Sequence, residues 1–340
     1  MTELHLIQAG PHSSIQDSGR VGYQGLGIPV DGAVDRLAMM LGNWLVGNEA
    51  GTAGLEIFLG GMRFTTDGPL VIALTGTHQT ALEITDKKGT RSLPAGQAIK
   101  ISAEAEIYLP PLRDSHCAFL SLQGGIDVPL LYGSASTSPA AHIGGLEGRL
   151  LRDGDRLAVA GKQADCPVAQ MALPEAGLFH LPSRVRLILG PHEGWFTPAS
   201  LRHLAESDWQ ITPAISRMGM RLAQPAPTPP SKNAERQAEA APVLVHKFGA
   251  DLISEGSALG AIQVPRDGQP IIMLADHGTT GGYTKIAHVI SADLDGVARL
   301  RPGKSLGFDL ITLEEGETAA RQAAHGLSQW HKEITASYQG

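Results

Sequence analysis

The sequence predicts a mainly β protein built as two related lobes, and three observations carry that expectation. Apolar residues fall in short runs punctuated by Gly, Pro and Asp, the pattern of strands between tight turns. Glycine supplies 41 of the 340 residues. That is about 12%, against an ordinary level of about 7%, and the excess suits many turns and close backbone approaches. A faint internal echo completes the set. Gly27-Ile28-Pro29-Val30-Asp31-Gly32 resembles Gln263-Val264-Pro265-Arg266-Asp267-Gly268, and 17–20 resembles 216–219 more loosely. P-x-D-G is common turn chemistry, so the echo by itself is weak.

Strands are expected at 5–9, 70–75, 98–102, 117–122 and 156–160, then at 184–189, 261–264, 270–274, 288–290 and 305–310. Their spacing leaves no room for a helix between every pair, which disfavours a doubly wound α/β fold. A helix is expected over 31–47. Val34, Leu37, Ala38, Leu41, Trp44 and Leu45 recur at helical spacing, with Asp31 as N-cap and Gly47-Asn48 as the stop. Thr197-Pro198 opens a second helix with Leu201, Leu204 and Ala205 turned inward. From 314 to 338, Ala320, Ala323, Leu327, Trp330 and Ile334 form one stripe, a packing face for the body or a partner chain. The expected organisation is a lobe over 1–165, an irregular link over 161–183, a lobe over 183–312 and a C-terminal helix over 313–340. The proline-rich stretch 223–242 reads as a mobile insert in the second lobe.

Composition removes several classes of function. Lys plus Arg is 27 and Asp plus Glu is 34, a net charge of −7 with no basic block, which argues against a nucleic-acid partner. Two cysteines, Cys117 and Cys166, support neither a disulfide framework nor a thiolate zinc site, and the 13 histidines show no metal-ligand spacing. The opening MTELHLIQAG lacks a basic region and a long apolar run, and no stretch reaches membrane-spanning length. The expectation is a cytoplasmic protein without a metal. Gly303-Lys304-Ser305 ends like a P-loop, but that pattern needs Gly at 298 and finds Ala298, so a Pro-Gly turn into a strand is the better reading.

Four polar, glycine-rich clusters remain. In 14–23, Arg20 is suited to grip a carboxylate or phosphate with two parallel hydrogen bonds, or simply to pair with Asp17 on the surface. In 124–137, Gly124, Gly125, Asp127, Ser134, Ser136 and Thr137 offer N–H and O–H donors to an anion, or form an ordinary connection. Arg217 and Arg221 in 216–221 either share an anion or cover apolar surface with their stems. In 275–285, Asp276, Thr279, Thr280, Gly281, Gly282, Tyr283 and Lys285 follow an apolar strand, and are either a site at its end or a decorated β-turn.

The order of these clusters resembles the family of the 5-oxoprolinase C subunit, which includes allophanate hydrolase subunit 2-like proteins and the carboxyltransferase domain of urea carboxylase. The carriers are SIQDSGRVGYQGLGIPVDGAVD (14–35), LVGNEAGTAGLEIFLGG (45–61), GGIDVPLLYGSAST (124–137), IGGLEGRLLRDGD (143–155), SRMGMRL (216–222) and ISEGSALGAIQVPRDGQPIIMLADHGTTGGY (253–283). The resemblance implies two cyclophilin-like β-barrel lobes. It implies two partners, a B subunit of related fold and an A subunit. It also implies ATP-dependent opening of the lactam 5-oxoproline to glutamate, with ATP bound in the assembled complex.

The alternatives it leaves are a carboxyltransferase component of a biotin-dependent urea or amide carboxylase, and a non-enzymatic regulatory partner of the B subunit. The site implied has Asp276, Lys285 and Tyr283 in catalytic roles. Arg20, Asp127, Ser134, Arg217, Gln263, Thr279, Thr280, Gly281 and Gly282 would bind substrate. The sequence departs from the family pattern at Ala135, at Ser138 and at Gly278, which stands where relatives carry Gln; His277 beside it is a candidate replacement.

Overall fold

A computed structural model describes residues 2–161, 169, 171–174, 178–179, 181–225 and 243–339. Cys166, Pro167 and the proline-rich stretch from 226 to 242 lie outside the described residues. The fold is mainly β, and the chain divides into two compact units, Met1–Leu181 with Ala324–Gly340, and Pro182–Ala323.

The first unit holds β1 (Glu3–Gln8), β2 (His12–Gln16), α1 (Arg36–Leu45), β3 (Gly54–Phe58), β4 (Met62–Thr66), β5 (Leu70–Thr75), β6 (Leu82–Asp86) and β7 (Gly89–Leu93). After them come β8 (Ala98–Ile101), β9 (Glu106–Leu109), β10 (Cys117–Leu122) and β11 (Arg156–Ala158). They form a six-stranded sheet, β11-β1-β4-β9-β6-β7, and a five-stranded one, β2-β3-β10-β5-β8. One core joins both: Leu4, Phe64, Ile84 and Ile107 from the first sheet meet Ile15, Ile57, Ile72 and Leu120 from the second. β5 and β10 are buried along their whole length because a second cluster covers their other face. There Val71, Ala73 and Phe119 pack with Leu41 and Leu45 of α1 and with Ile334. A strand wetted on neither face reads as a continuous apolar run, which is why these two were the easiest to see.

The second unit holds β12 (Arg184–Leu189), α2 (Pro198–Glu206), β13 (Trp209–Ile215), β14 (Gly219–Ala223), β15 (Asp251–Gly256), β16 (Ala261–Val264), β17 (Ile271–Met273), β18 (Thr280–Val289), α3 (Leu294–Ala298) and β19 (Ser305–Leu310). Its sheet runs β12-β19-β13-β14-β17-β16-β18, and β18 pairs back onto β12, so the hydrogen bonding closes on itself. Only the β12–β19 pairing is parallel among those described. β18 is long enough to serve three partners, pairing with β16 through 284–288, with β12 through Ala287–Val289 and with the edge strand β15 through 280–283. The final helix α4 (Leu313–Ala336) begins within this unit's residues and ends within the first unit's.

Several expectations need correction. Asp31 does not cap α1. Asp35 does, its side chain accepting the Ala38 N–H at 3.0 Å, while Asp31 sits at φ 54° and is used elsewhere. The second half of the 275–285 cluster is strand, not loop, because β18 starts at Thr280. In α4 the stripe is shorter than its spacing suggests: Ile334 is fully buried and Trp330 packs beside it, but Ala323 is exposed. Thr197 does cap α2, accepting the Ser200 N–H at 3.2 Å.

Candidate functional site

In the first unit the 14–23 and 124–137 clusters meet. Arg20 is fully buried. Its guanidinium holds Asp31 Oδ2 through one nitrogen and the Ser136 carbonyl through another. The Ser138 hydroxyl donates to Asp31 Oδ1 at 3.0 Å. Asp17 pairs not with Arg20 but with the opposite loop. Its Oδ1 accepts from the hydroxyls of Ser134 (2.6 Å) and Ser136 (2.5 Å), and its Oδ2 accepts the Ala135 N–H at 2.6 Å. This overturns the surface Asp17–Arg20 pair. It also removes Arg20 and Ser134 from reach of a ligand, since both are closed inside this network. Gly144, at φ +70°, completes the enclosure. A Cβ there would strike the Ser136 carbonyl and Arg20, so only glycine lets the 143–155 turn close over the arginine. Asp127 stands apart, its side chain exposed and its N–H given to the Ala158 carbonyl.

In the second unit the other two clusters meet. Arg217, buried, forks onto Asp276, Nε to Oδ2 at 2.9 Å and Nη2 to Oδ1 at 2.6 Å. The Asp276 N–H returns to the Arg217 carbonyl at 2.9 Å. With both oxygens taken by one guanidinium, Asp276 is a counter-ion that fixes the β17–β18 loop rather than an open base. Beyond that loop the Ser257 N–H donates to the Thr279 carbonyl at 3.0 Å, and the Gln263 amide reaches Ser257 Oγ at 3.4 Å. Gly281 makes room for that amide, since a Cβ there would lie 2.7 Å from Gln263 Nε2.

Lys285 is the centre of this region. It pairs in register with Gln263, where the β16–β18 ladder slips: Ile262 faces Ala287, and Ile286 is the extra residue. Such a bulge re-aims a side chain without ending the strand. Buried Lys285 meets Glu255 of β15 in an ion pair. The same carboxylate oxygen lies 3.2 Å from His192 Nε2. His192 Nδ1 accepts the Lys285 backbone N–H at 3.1 Å, which leaves the proton of the neutral ring on Nε2, facing Glu255. Burial, above all, holds His192 below the ordinary histidine range, with the Lys285 charge adding to it and Glu255 opposing. The Lys285 hydrogen bond holds the Glu255 carboxyl below its usual range. Tyr283, Thr279 and Thr280 stand at the rim, partly or fully exposed. Sequence reading found Lys285, Gln263 and the threonines but missed Glu255 and His192. His192 lies in a segment without a motif, Glu255 inside the 253–283 segment but outside its polar cluster, and only the pairing of β15 and β12 with β18 brings them in.

Buried Lys285, in register with Gln263 and paired with a half-exposed carboxylate, can receive an anion or a polarised carbonyl. Residues 26–310 match the carboxyltransferase domain, subdomains A and B. The chain belongs to the carboxyltransferase-domain family. It is 35% identical over 330 residues to the 5-oxoprolinase C subunit of Escherichia coli, covering 96% of this chain and 97% of that one. To its counterpart in Haemophilus influenzae it is 31% identical, with 96% and 97% covered. Among solved structures it superposes on the urea amidolyase of Kluyveromyces lactis with a TM-score of 0.79 at 23% identity, a likeness of fold. That match covers 96% of this chain but only 20% of the urea amidolyase, so the shared fold is one part of a much longer polypeptide.

Proposed function

We propose that this chain is the C subunit of a 5-oxoprolinase, acting with the A and B subunits in ATP-dependent hydrolysis of 5-oxoproline to glutamate. One observation carries the reading: end-to-end similarity, at 35% identity, to a protein of that name. The chemistry agrees with the residues at hand. A lactam is resonance-stabilised, so its oxygen must be activated, by phosphoryl transfer from ATP, before water can open the ring. In this reading Lys285 and the N–H groups of Gly281 and Gly282 receive the anionic part of the substrate. Gln263, Thr279 and Thr280 orient its amide, and Tyr283 stands at the rim. Asp276 and Arg217 hold the loop that carries them.

The carboxyltransferase family favours a second reading, transfer of a carboxyl group from biotin to an amide-like nitrogen. A single reconstitution separates the two. The purified chain, with its A and B partners, is expected to release glutamate from 5-oxoproline only when ATP is present and all three proteins are combined. Turnover by the isolated chain, or activity abolished by avidin, would sink the first reading, and the avidin result would support the second.

A further inference from the structure

We propose that Glu255, seated by His192, is the counter-ion that lets Lys285 stand buried inside the second unit, and so fits that lysine to hold an anionic group. The inference rests on the reading that Lys285 receives the substrate's anion, and goes beyond it by naming what makes the lysine fit to do so.

The Lys285 side chain is only 4% exposed. Removing water disfavours the charged form of an amine unless a carboxylate replaces the water. Three polar groups stand against it, Glu255 from β15, His192 from the segment after β12 and Gln263 across the ladder on β16, and His288 farther along β18 feels its charge. Gln263 carries no charge. Burial, chiefly, holds both histidines below their ordinary range, and the Lys285 charge pushes them the same way. Glu255 is then the one anion among them.

Its seating is built rather than accidental. His192 is fixed by two backbone bonds to Lys285, donating its own N–H to the Lys285 carbonyl and accepting the Lys285 N–H on Nδ1. Gly190 permits this approach, since a Cβ there would lie 2.5 Å from the Lys285 carbonyl oxygen. Both His192 and Lys285 converge on Glu255 Oε1. A carboxylate drawn below its usual range by a cation is a poor proton acceptor near neutral pH, which favours a counter-ion over a general base.

The test reads the lysine itself. The purified chain is pulse-labelled with acetic anhydride from pH 6.5 to 9.5, and acetylation of Lys285 is followed by mass spectrometry, since only the free amine reacts. In Glu255→Gln, Lys285 should label about tenfold faster than in the parent at pH 7.5, with exposed control lysines unchanged. Glu255→Asp, which keeps the charge on a shorter arm, should fall between. His192→Phe should shift labelling in the same direction by less. Thermal melts run beside each variant identify any that unfold, and the Asp variant then decides. Equal labelling of parent and folded Glu255 variants would overturn the proposal. Lys285→Met in the assembled complex tests the underlying site separately. Full activity there, with the labelling shift intact in the Glu255 variants, would refute the anion-site reading and leave the Glu255–Lys285 linkage standing.

Discussion

Arg20 and Lys285 are both buried cations set among glycines and hydroxyls, and they are built in opposite ways. The Arg20–Asp31 pair is closed on both sides, with each side chain 0% exposed. The Lys285–Glu255 pair is closed on one side only, 4% exposed at the lysine and 44% at the glutamate. Around Arg20 every neighbour is already engaged: Asp31 with Ser138, Ser136 with Asp17, Asp17 with Ser134 and Ala135. Around Lys285 the counter-ion comes from an edge strand with a water-facing side. A buried charge whose partner is also buried ties loops together. A buried charge whose partner remains wet can exchange that partner for a ligand.

The sharpest way to break this contrast is to remove Arg20. Arg20→Met leaves the Asp31 carboxylate buried without its cation, and breaking a pair enclosed this way costs about 3–5 kcal/mol. Denaturant unfolding of the isolated chain should register most of that loss. Arg20→Met combined with Asp31→Leu should recover part of it, because no lone charge is then left inside. A loss below about 1 kcal/mol for the single variant would mean the knot is not the closed structural element described.

How much of this was legible beforehand follows from the same distinction. The doubly buried strands β5 and β10 and the closing strands β12 and β19 are short apolar runs, and their bounds matched the reading closely. β7 (GTRSL) and β15 (DLISEG) were invisible because they lie at sheet edges and bury almost no apolar side chain. The polar clusters were visible as clusters. Their partners were not: Arg20 was matched to Asp17 three residues away, when its counter-ion stands eleven residues on. His192 carries no local signal, and nothing in the 253–283 segment singles out Glu255. Glu255 and His192 lie 30 and 93 residues from Lys285 in sequence, and only sheet register joins them to it.

A smaller effect separates the histidines from the carboxylates. Burial is the leading cause that lowers His192, His246 and His288 in the folded chain. As pH falls below about 6.5, the unfolded chain takes up protons that the folded one refuses, so stability drops with falling pH. Glu255 and Asp155 are lowered instead by hydrogen bonds from Lys285 and Arg149. Their stabilisation is present above the ordinary carboxylate value near 4 and fades only as pH falls through their folded values. The interval from about pH 7 to 5 is then the histidines' own. Melting temperature should decline across it, and His192→Gln with His246→Gln should flatten that decline. A parent chain whose melting temperature holds or rises from pH 7 to 5 would contradict the assignment.

The smallest expected effect comes from an ion pair open on both sides. Arg266 reaches Asp251 on the edge strand β15, with side chains 81% and 49% exposed. By contact alone it resembles the two pairs above. Its physics differs: water solvates both groups before and after they meet, salt screens what attraction is left, and two side chains lose freedom to hold one geometry. Nothing buried depends on it, because removing the arginine leaves Asp251 as wet as before. Arg266→Ala should leave the melting temperature unchanged within error at low salt and at 0.5 M salt alike. A clear loss at low salt that disappears at high salt would show that the edge of β15 is held by charge. Glu255 would then be carried on a strand whose attachment varies with ionic strength, and the contrast between closed and open pairs would have to be redrawn around that strand.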